Sequence, residues 1–149
     1  CDAYHYTAPR PDGSSAARAI QLALTEAGFK AGELLHINSH GTGTPLNDKS
    51  ETAAIKLALG EKAAYKAIIN STKSMTGHML GAAGGIELIA TALALKEGII
   101  PPTVHLDEPD PECDLDVTPN VARRRQVRAA ISNAFAFGGT NAVVAFKPV

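Results

Sequence analysis

Charge of neither sign is in excess in this sequence: 14 lysines and arginines stand against 15 aspartates and glutamates, a net charge of −1. That balance argues against nucleic acid as a main partner, because binding a phosphate backbone needs clustered cations. The one basic run, Arg123-Arg124-Arg125 with Arg128, reads either as a solvated loop face or as a docking patch for an acidic protein. Cysteine is scarce as well: Cys1 and Cys113 stand in no CxxC or ladder spacing. A disulfide framework or a cysteine zinc site is therefore not expected, and a reducing cytoplasm is the expected setting. No apolar run reaches the roughly 18 residues of a membrane span, because Glu87 interrupts the best candidate, so no membrane partner is expected. No secretory leader is visible, and the chain opens without methionine on the loop-like Cys1-Asp2-Ala3-Tyr4, which reads as the interior of a longer protein. The nucleotide-cradling signatures G-x-x-x-x-G-K-[ST] and strand-linked G-x-G-x-x-G are missing, and no cofactor is expected.

What is present is an ordinary globular composition, 45% hydrophobic and 19% charged over 149 residues, enough for one domain with a sizeable core. Residues 1–13 form a loop ending at Asp12 or Ser14, either able to cap a helix. Ala16, Ala17, Ile20, Ala23, Leu24 and Ala27 then recur at helical spacing up to Gly28, predicting a helix over 14–27. Leu34–Asn38 reads as a short strand. Asp48 followed by Glu51 has the form of a capping box, opening a helix whose stripe is Ile55, Ala58 and Leu59 and which stops at Gly60. Ala67–Ser71 is the next strand. A helix over about 80–97 is apolar almost all round, through Ile86, Leu88, Ile89, Ala90, Leu93 and Leu95, which implies a further layer outside it. Gly81, Gly84 and Gly85 weaken that helix and imply close approach of another backbone. Beyond Gly98, the proline- and acid-rich stretch from Pro101 to Pro119 reads as an extended surface crossing. Val127–Ala134 and Ala142–Phe146 read as an antiparallel hairpin around a Phe135–Asn141 loop, closing a mixed sheet. The succession α, β, α, β, α, β, β predicts an α/β layered architecture.

Three stretches carry the chemistry. They are His36-Ile37-Asn38-Ser39-His40-Gly41-Thr42-Gly43-Thr44-Pro45, Ser71-Thr72-Lys73-Ser74-Met75-Thr76-Gly77-His78, and Ser132-Asn133-Ala134-Phe135-Ala136-Phe137-Gly138-Gly139-Thr140-Asn141. Each begins on a short apolar segment and turns into a loop dense in Gly, Thr, Asn or His, so three strand ends can converge on one pocket. A single histidine at such a place is more often structural. Two imidazoles aimed at one point, His40 and His78, can donate hydrogen bonds to a developing oxyanion. A metal site with Asp48 as third ligand is the competing reading, but no HxxxH or HxH spacing prearranges it, and no metal is expected. Glu87 is the only charge between His78 and Lys96 and is costly to bury alone, so an ion pair with Lys73 is expected, either structural or catalytic. Phe135 and Phe137 read as core aromatics on composition alone.

In order and wording these stretches resemble the C-terminal half of a β-ketoacyl-acyl-carrier-protein synthase of the elongating type, over about Asp2 to Lys147. The resemblance implies a thiolase-like fold: two α/β halves pack into a five-layered αβαβα body, and residues 1–149 are the second half. It implies decarboxylation of a carrier-bound malonyl group and attack of the resulting enolate on an acyl-enzyme, extending the chain by two carbons. On this footing His40 and His78 stabilise the enolate, while Lys73 and Glu87 polarise the site around the second histidine. Phe137 gates the acyl pocket and lends its N–H to an oxyanion, with Gly138 and Gly139 letting its loop swing and Phe135 beside it. Thr42 and Thr44 hydrogen-bond the amides of the phosphopantetheine arm. The implied partners are acyl-carrier protein bearing acyl and malonyl groups, the N-terminal half, and a second copy in a homodimer. Gly43, where many fatty-acid enzymes of this type carry serine, is also common in polyketide ketosynthases, so a polyketide ketosynthase or a chain-length partner stays open. A non-catalytic module that binds carrier protein is the reading from another class. The cysteine nucleophile of such enzymes, in a Thr-Ala-Cys setting at a helix start, matches neither Cys1 nor Cys113.

Overall fold

The computed structural model describes residues 1–29, 33 and 35–148. Gly13 leads into helix α1 (Ser14–Glu26), where the Asp12 carboxylate accepts the Ser14 N–H at 3.0 Å, and Ala27 is the cap residue rather than the last helical one. The first strand, β1, runs over Leu35–Asn38, and Leu34 lies outside the described residues. Helix α2 (Pro45–Leu59) starts before the expected Asp48–Glu51 box, with Thr44 as cap residue and Pro45 first in the helix. Proline is preset for that position, where an N–H has no partner in any case, and it fixes the start ahead of Asp48. Next come α3 (Glu61–Ala64), β2 (Ile68–Asn70) and α4 (Lys73–Thr76). A 3-10 turn at Leu80–Ala82 enters α5 (Ala83–Glu97). Strands β3 (Ile99–Ile100) and β4 (Arg123–Arg124) pair antiparallel. The hairpin is β5 (Ala129–Ala136) and β6 (Thr140–Phe146), joined only by Phe137–Gly139, so Phe135 and Asn141 belong to strands rather than to a loop.

The main sheet has the order β2-β1-β5-β6, its first three strands parallel and β6 antiparallel, the mixed sheet of the expected α/β architecture. Its two faces differ in chemistry. On one, Leu35, Ile37, Ile69, Ala129 and Ile131 pack with Ile20 of α1 and Ile55 of α2 into the main apolar core. On the other, buried His36, Asn38 and Asn70 lie beneath α5, alongside a smaller apolar cluster of Ile68, Leu95, Ile100 and Val127. The crossing after Pro101 is more than a surface segment. Asp116 accepts the Ile69 N–H at 2.9 Å and the Thr118 hydroxyl donates to the Ile69 carbonyl at 2.7 Å, so it covers the otherwise free edge of β2.

Helix α5 is turned inside out. Its face toward the sheet carries Glu87 and Thr91 at 2% and 0% exposure, while Ile86, Ile89 and Leu93 stand 40%, 59% and 52% exposed. The few polar residues of a helix read as apolar almost all round point inward, Glu87 to Lys73 of α4 and Thr91 to Asn38 of β1. Among the described residues no backbone makes the expected close approach at Gly81, Gly84 and Gly85, where a Cβ would meet open space.

Candidate active site

The site forms where parallel strands β1 and β2 and the hairpin strand β5 end together. After β1, the chain makes a sharp turn that sets His40 between β2 and α2. Ser39 donates its N–H and hydroxyl to the Asn70 carbonyl at 2.8 and 3.0 Å, and the Ser71 hydroxyl donates to the Gly41 carbonyl at 2.6 Å. Gly41 has a φ of 38°, and a Cβ there would stand 2.5 Å from Ser39 Oγ and 2.7 Å from Ser71 Cβ, so no other residue fits the turn.

Glu51 holds this turn from α2, a role that reading it as part of a helix start misses. Its carboxylate, 4% exposed, accepts the backbone N–H groups of His40 and Gly41 at 2.9 and 2.8 Å, and the side-chain amides of Asn133 and Asn47 at 3.0 and 3.3 Å. Burial pushes its carboxyl up, and the donors on both oxygens oppose that by favouring the ionised form. The available signal was its place one turn before Ile55, on the stripe of α2 that faces the core.

The His40 and His78 rings meet edge to face with centroids 5.5 Å apart, and the Phe135 ring lies 6.0 Å from His40. Burial, then the charges of Lys73 and His78, pushes the His40 imidazole down to about 3, so it is neutral at ordinary pH. His78 Nδ1 accepts the Leu80 N–H at 3.1 Å, which leaves Nε2 as the ring nitrogen able to donate into the site. Lys73, 6% exposed, forms the expected ion pair with Glu87 beneath α5. Burial pushes the Glu87 carboxyl up while Lys73 draws it down.

Thr42 and Thr44 share a hydrogen bond of 2.8 Å between their hydroxyls and line an open groove with Lys73 and His78. Phe137 is not drawn into this group: it stands 73% exposed on the hairpin turn. That turn is fastened from outside, with Asp2 N–H donating to the Gly139 carbonyl at 2.9 Å and Gly138 N–H to the Tyr6 carbonyl at 2.8 Å. The arginine run lies elsewhere. Arg124, Arg125 and Arg128 are exposed near Ala129, which pairs with Leu35 at the opposite end of β1 from His40. The three residue steps of β1 from Leu35 to Asn38 alone put about 10 Å between that end and the His40 turn, at roughly 3.3 Å of rise per strand residue.

A parallel-stranded α/β half with paired imidazoles at its strand ends and a buried Lys–Glu pair beneath defines a thiolase-like condensing-enzyme fold. The model of the β-ketoacyl synthase C-terminal domain matches residues 1–107, and the chain belongs to that family. It is 56% identical over 147 residues to 3-oxoacyl-[acyl-carrier-protein] synthase 2 of Synechocystis sp. (strain ATCC 27184 / PCC 6803 / Kazusa), covering 99% of this chain and 35% of that protein. Among solved structures, it superposes on the ishigamide ketosynthase/chain length factor with a TM-score of 0.92 and 46% identity, over 100% of this chain and 36% of that one. It also superposes on a ketosynthase bound to the hexaketide, in complex with its type II PKS acyl-carrier protein, with a TM-score of 0.95 and 39% identity over 99% and 36% of the two chains. The chain thus spans about a third of the length of the relatives it matches.

Proposed function

We propose that residues 1–149 are the C-terminal domain of a 3-oxoacyl-[acyl-carrier-protein] synthase of fatty-acid elongation, an acyltransferase acting in the cytoplasm as a homodimer. The observation that carries this reading is the pairing of neutral His40 with His78 at 5.5 Å, above a buried Lys73–Glu87 pair. The likeness to a 3-oxoacyl synthase over nearly the whole chain supports it. In the reaction, the bond from the malonyl Cα to its carboxylate breaks, CO2 leaves, and the electron pair passes into a thioester enolate. The imidazole N–H groups of His40 and His78 donate to the enolate oxygen. Its carbon then attacks an acyl thioester held on a cysteine of the other half, and the thiolate leaves as the 3-oxoacyl product forms. The Lys73–Glu87 pair polarises the site around His78. Phe137 with Gly138 and Gly139 forms the gate to the acyl pocket, which Phe135 lines, and Thr42 and Thr44 bind the pantetheine amides of the carrier protein.

The apolar outer face of α5 is the surface on which the N-terminal half with its nucleophile cysteine packs. In the full-length protein, His40→Ala and His78→Ala should each lower malonyl decarboxylation by about 10²- to 10³-fold, the usual cost of an oxyanion donor, with acylation of the cysteine retained. Condensation at the normal rate in either variant sinks the assignment.

A further inference from the structure

Asn38 has no part in the chemistry described above, yet its side chain touches all three pieces that supply it. Its Nδ2 donates to the Glu87 carbonyl at 3.2 Å and to Thr91 Oγ1 at 3.0 Å, both on α5. Its Oδ1 accepts the Thr72 hydroxyl at 3.0 Å and the Thr72 N–H at 3.4 Å, on the turn entering α4. A carbonyl on one side and an N–H on the other admit only this orientation of the amide. Thr91 completes the link by donating to the Glu87 carbonyl at 2.7 Å. Asn38 itself is 1% exposed and sits on β1, two residues before His40; Thr72, 3% exposed, immediately precedes Lys73.

We propose that Asn38, through Thr72 and Thr91, is a positioning residue that sets the register between the His40 turn, the Lys73 turn and Glu87. The inference rests on the decarboxylating role assigned above to His40 and His78. Physically, the three elements meet on the polar face of the sheet, where the apolar cluster reaches α5 through Leu95, near its C-terminal end, and the contacts of Asn38 at Glu87 and Thr91 are polar. A single amide bonded to all three, with its donors and acceptor satisfied, has one geometry at low cost and leaves buried polar atoms unpaired in any other. A displacement of the order of 1 Å at a reacting group can cost about 10²-fold in rate, so the effect belongs on the chemical step rather than on substrate binding.

The test uses the full-length protein and compares Thr72→Val, which removes the hydroxyl at nearly constant volume, with Thr72→Ser, which keeps it, and both with Asn38→Leu and His78→Ala. Malonyl-carrier decarboxylation and transfer of an acyl group to the nucleophile cysteine are measured separately, each normalised to the folded fraction from circular dichroism. Expected are a fall of about 10- to 100-fold in kcat for decarboxylation with Thr72→Val and Asn38→Leu, little change in KM for malonyl carrier, normal acylation, and recovery in Thr72→Ser. Should Asn38→Leu fail to fold, the Thr72 pair alone decides. Equal decarboxylation by Thr72→Val and Thr72→Ser, or a fall shared equally by both half-reactions, overturns the inference. If His78→Ala also decarboxylates normally, the functional reading itself fails, and the two failures are thereby distinguished.

Discussion

Lys73 and Glu87 bury opposite charges against each other, and removal of either leaves the other buried without its counter-charge. Glu87→Ala should therefore destabilise the full-length protein by about 3–5 kcal/mol, read from urea unfolding, whereas an unchanged midpoint would show that the pair carries no net burden of burial. The buried histidines give the molecule an acid limit. Burial holds His36 below its ordinary value despite its hydrogen bond with Asn70, and holds His40 at about 3. The folded state then binds fewer protons than the unfolded chain, so stability present above about pH 6.5 is lost as pH falls toward the folded values. The raised carboxyls of Glu51 and Glu87 act in the opposite direction. The comparison is therefore between proteins that differ only at the imidazole: His36→Gln should flatten the decline of melting temperature between pH 6.5 and 4, and an unchanged slope would acquit His36. At this scale the sequence disclosed Lys73 and Glu87 because a lone charge in an apolar helix demands a partner. Glu51 and Asn38 were concealed, since an acid in the first turns of a helix and an amide at a strand end have ordinary local explanations.

Helix α5 shows why periodicity identifies an element more readily than its orientation. Apolar residues around most of its circumference made the helix legible, but hydropathy ranks Ile89 above Thr91 for burial, and the sheet beneath selects Thr91 because it offers Asn38. The exposed row of Ile86, Ile89 and Leu93 is the face on which the proposed reading packs the N-terminal half. Ile89→Asp should reduce self-association of the isolated chain in light scattering and should weaken the full-length protein; stronger association of the variant would contradict this. Among the hairpin residues, Phe137 contributes little packing at 73% exposure. Phe137→Ala is expected to alter the rate at which acyl groups load onto the nucleophile cysteine while leaving the melting temperature nearly unchanged, and a large loss of stability with unaltered loading would return Phe137 to the core. Four short elements, α3, α4, β3 and β4, were not foreseen, because a single helical turn or a two-residue strand carries no recognisable period, whereas the equally short β1 and β2 stand inside longer apolar runs.

For the molecule as a whole, the layered α/β order was readable from alternating patterns, whereas the burial of polar groups under α5 was not, because it depends on which strands the topology brings together. The isolated chain should not condense. Cys113 is held above its ordinary thiol value by burial first, with Asp110, Asp48 and Glu112 nearby, and so lacks thiolate character. Incubation with acyl- and malonyl-carrier protein should give no 3-oxoacyl product, and mass spectrometry showing turnover through acylated Cys113 would overturn this. The clasp of Glu51 on the His40 turn has a further consequence for how the molecule comes apart. The amides of His40 and Gly41 are tied to a side chain of α2 rather than to a neighbouring strand. Deuterium exchange at those two amides should then follow the undocking of α2, and should run faster than exchange at Ile37 in the sheet ladder. Partial opening of one outer helix would thus dismantle the His40 turn while the sheet stays closed, making the candidate site a cooperative unit smaller than the domain that carries it.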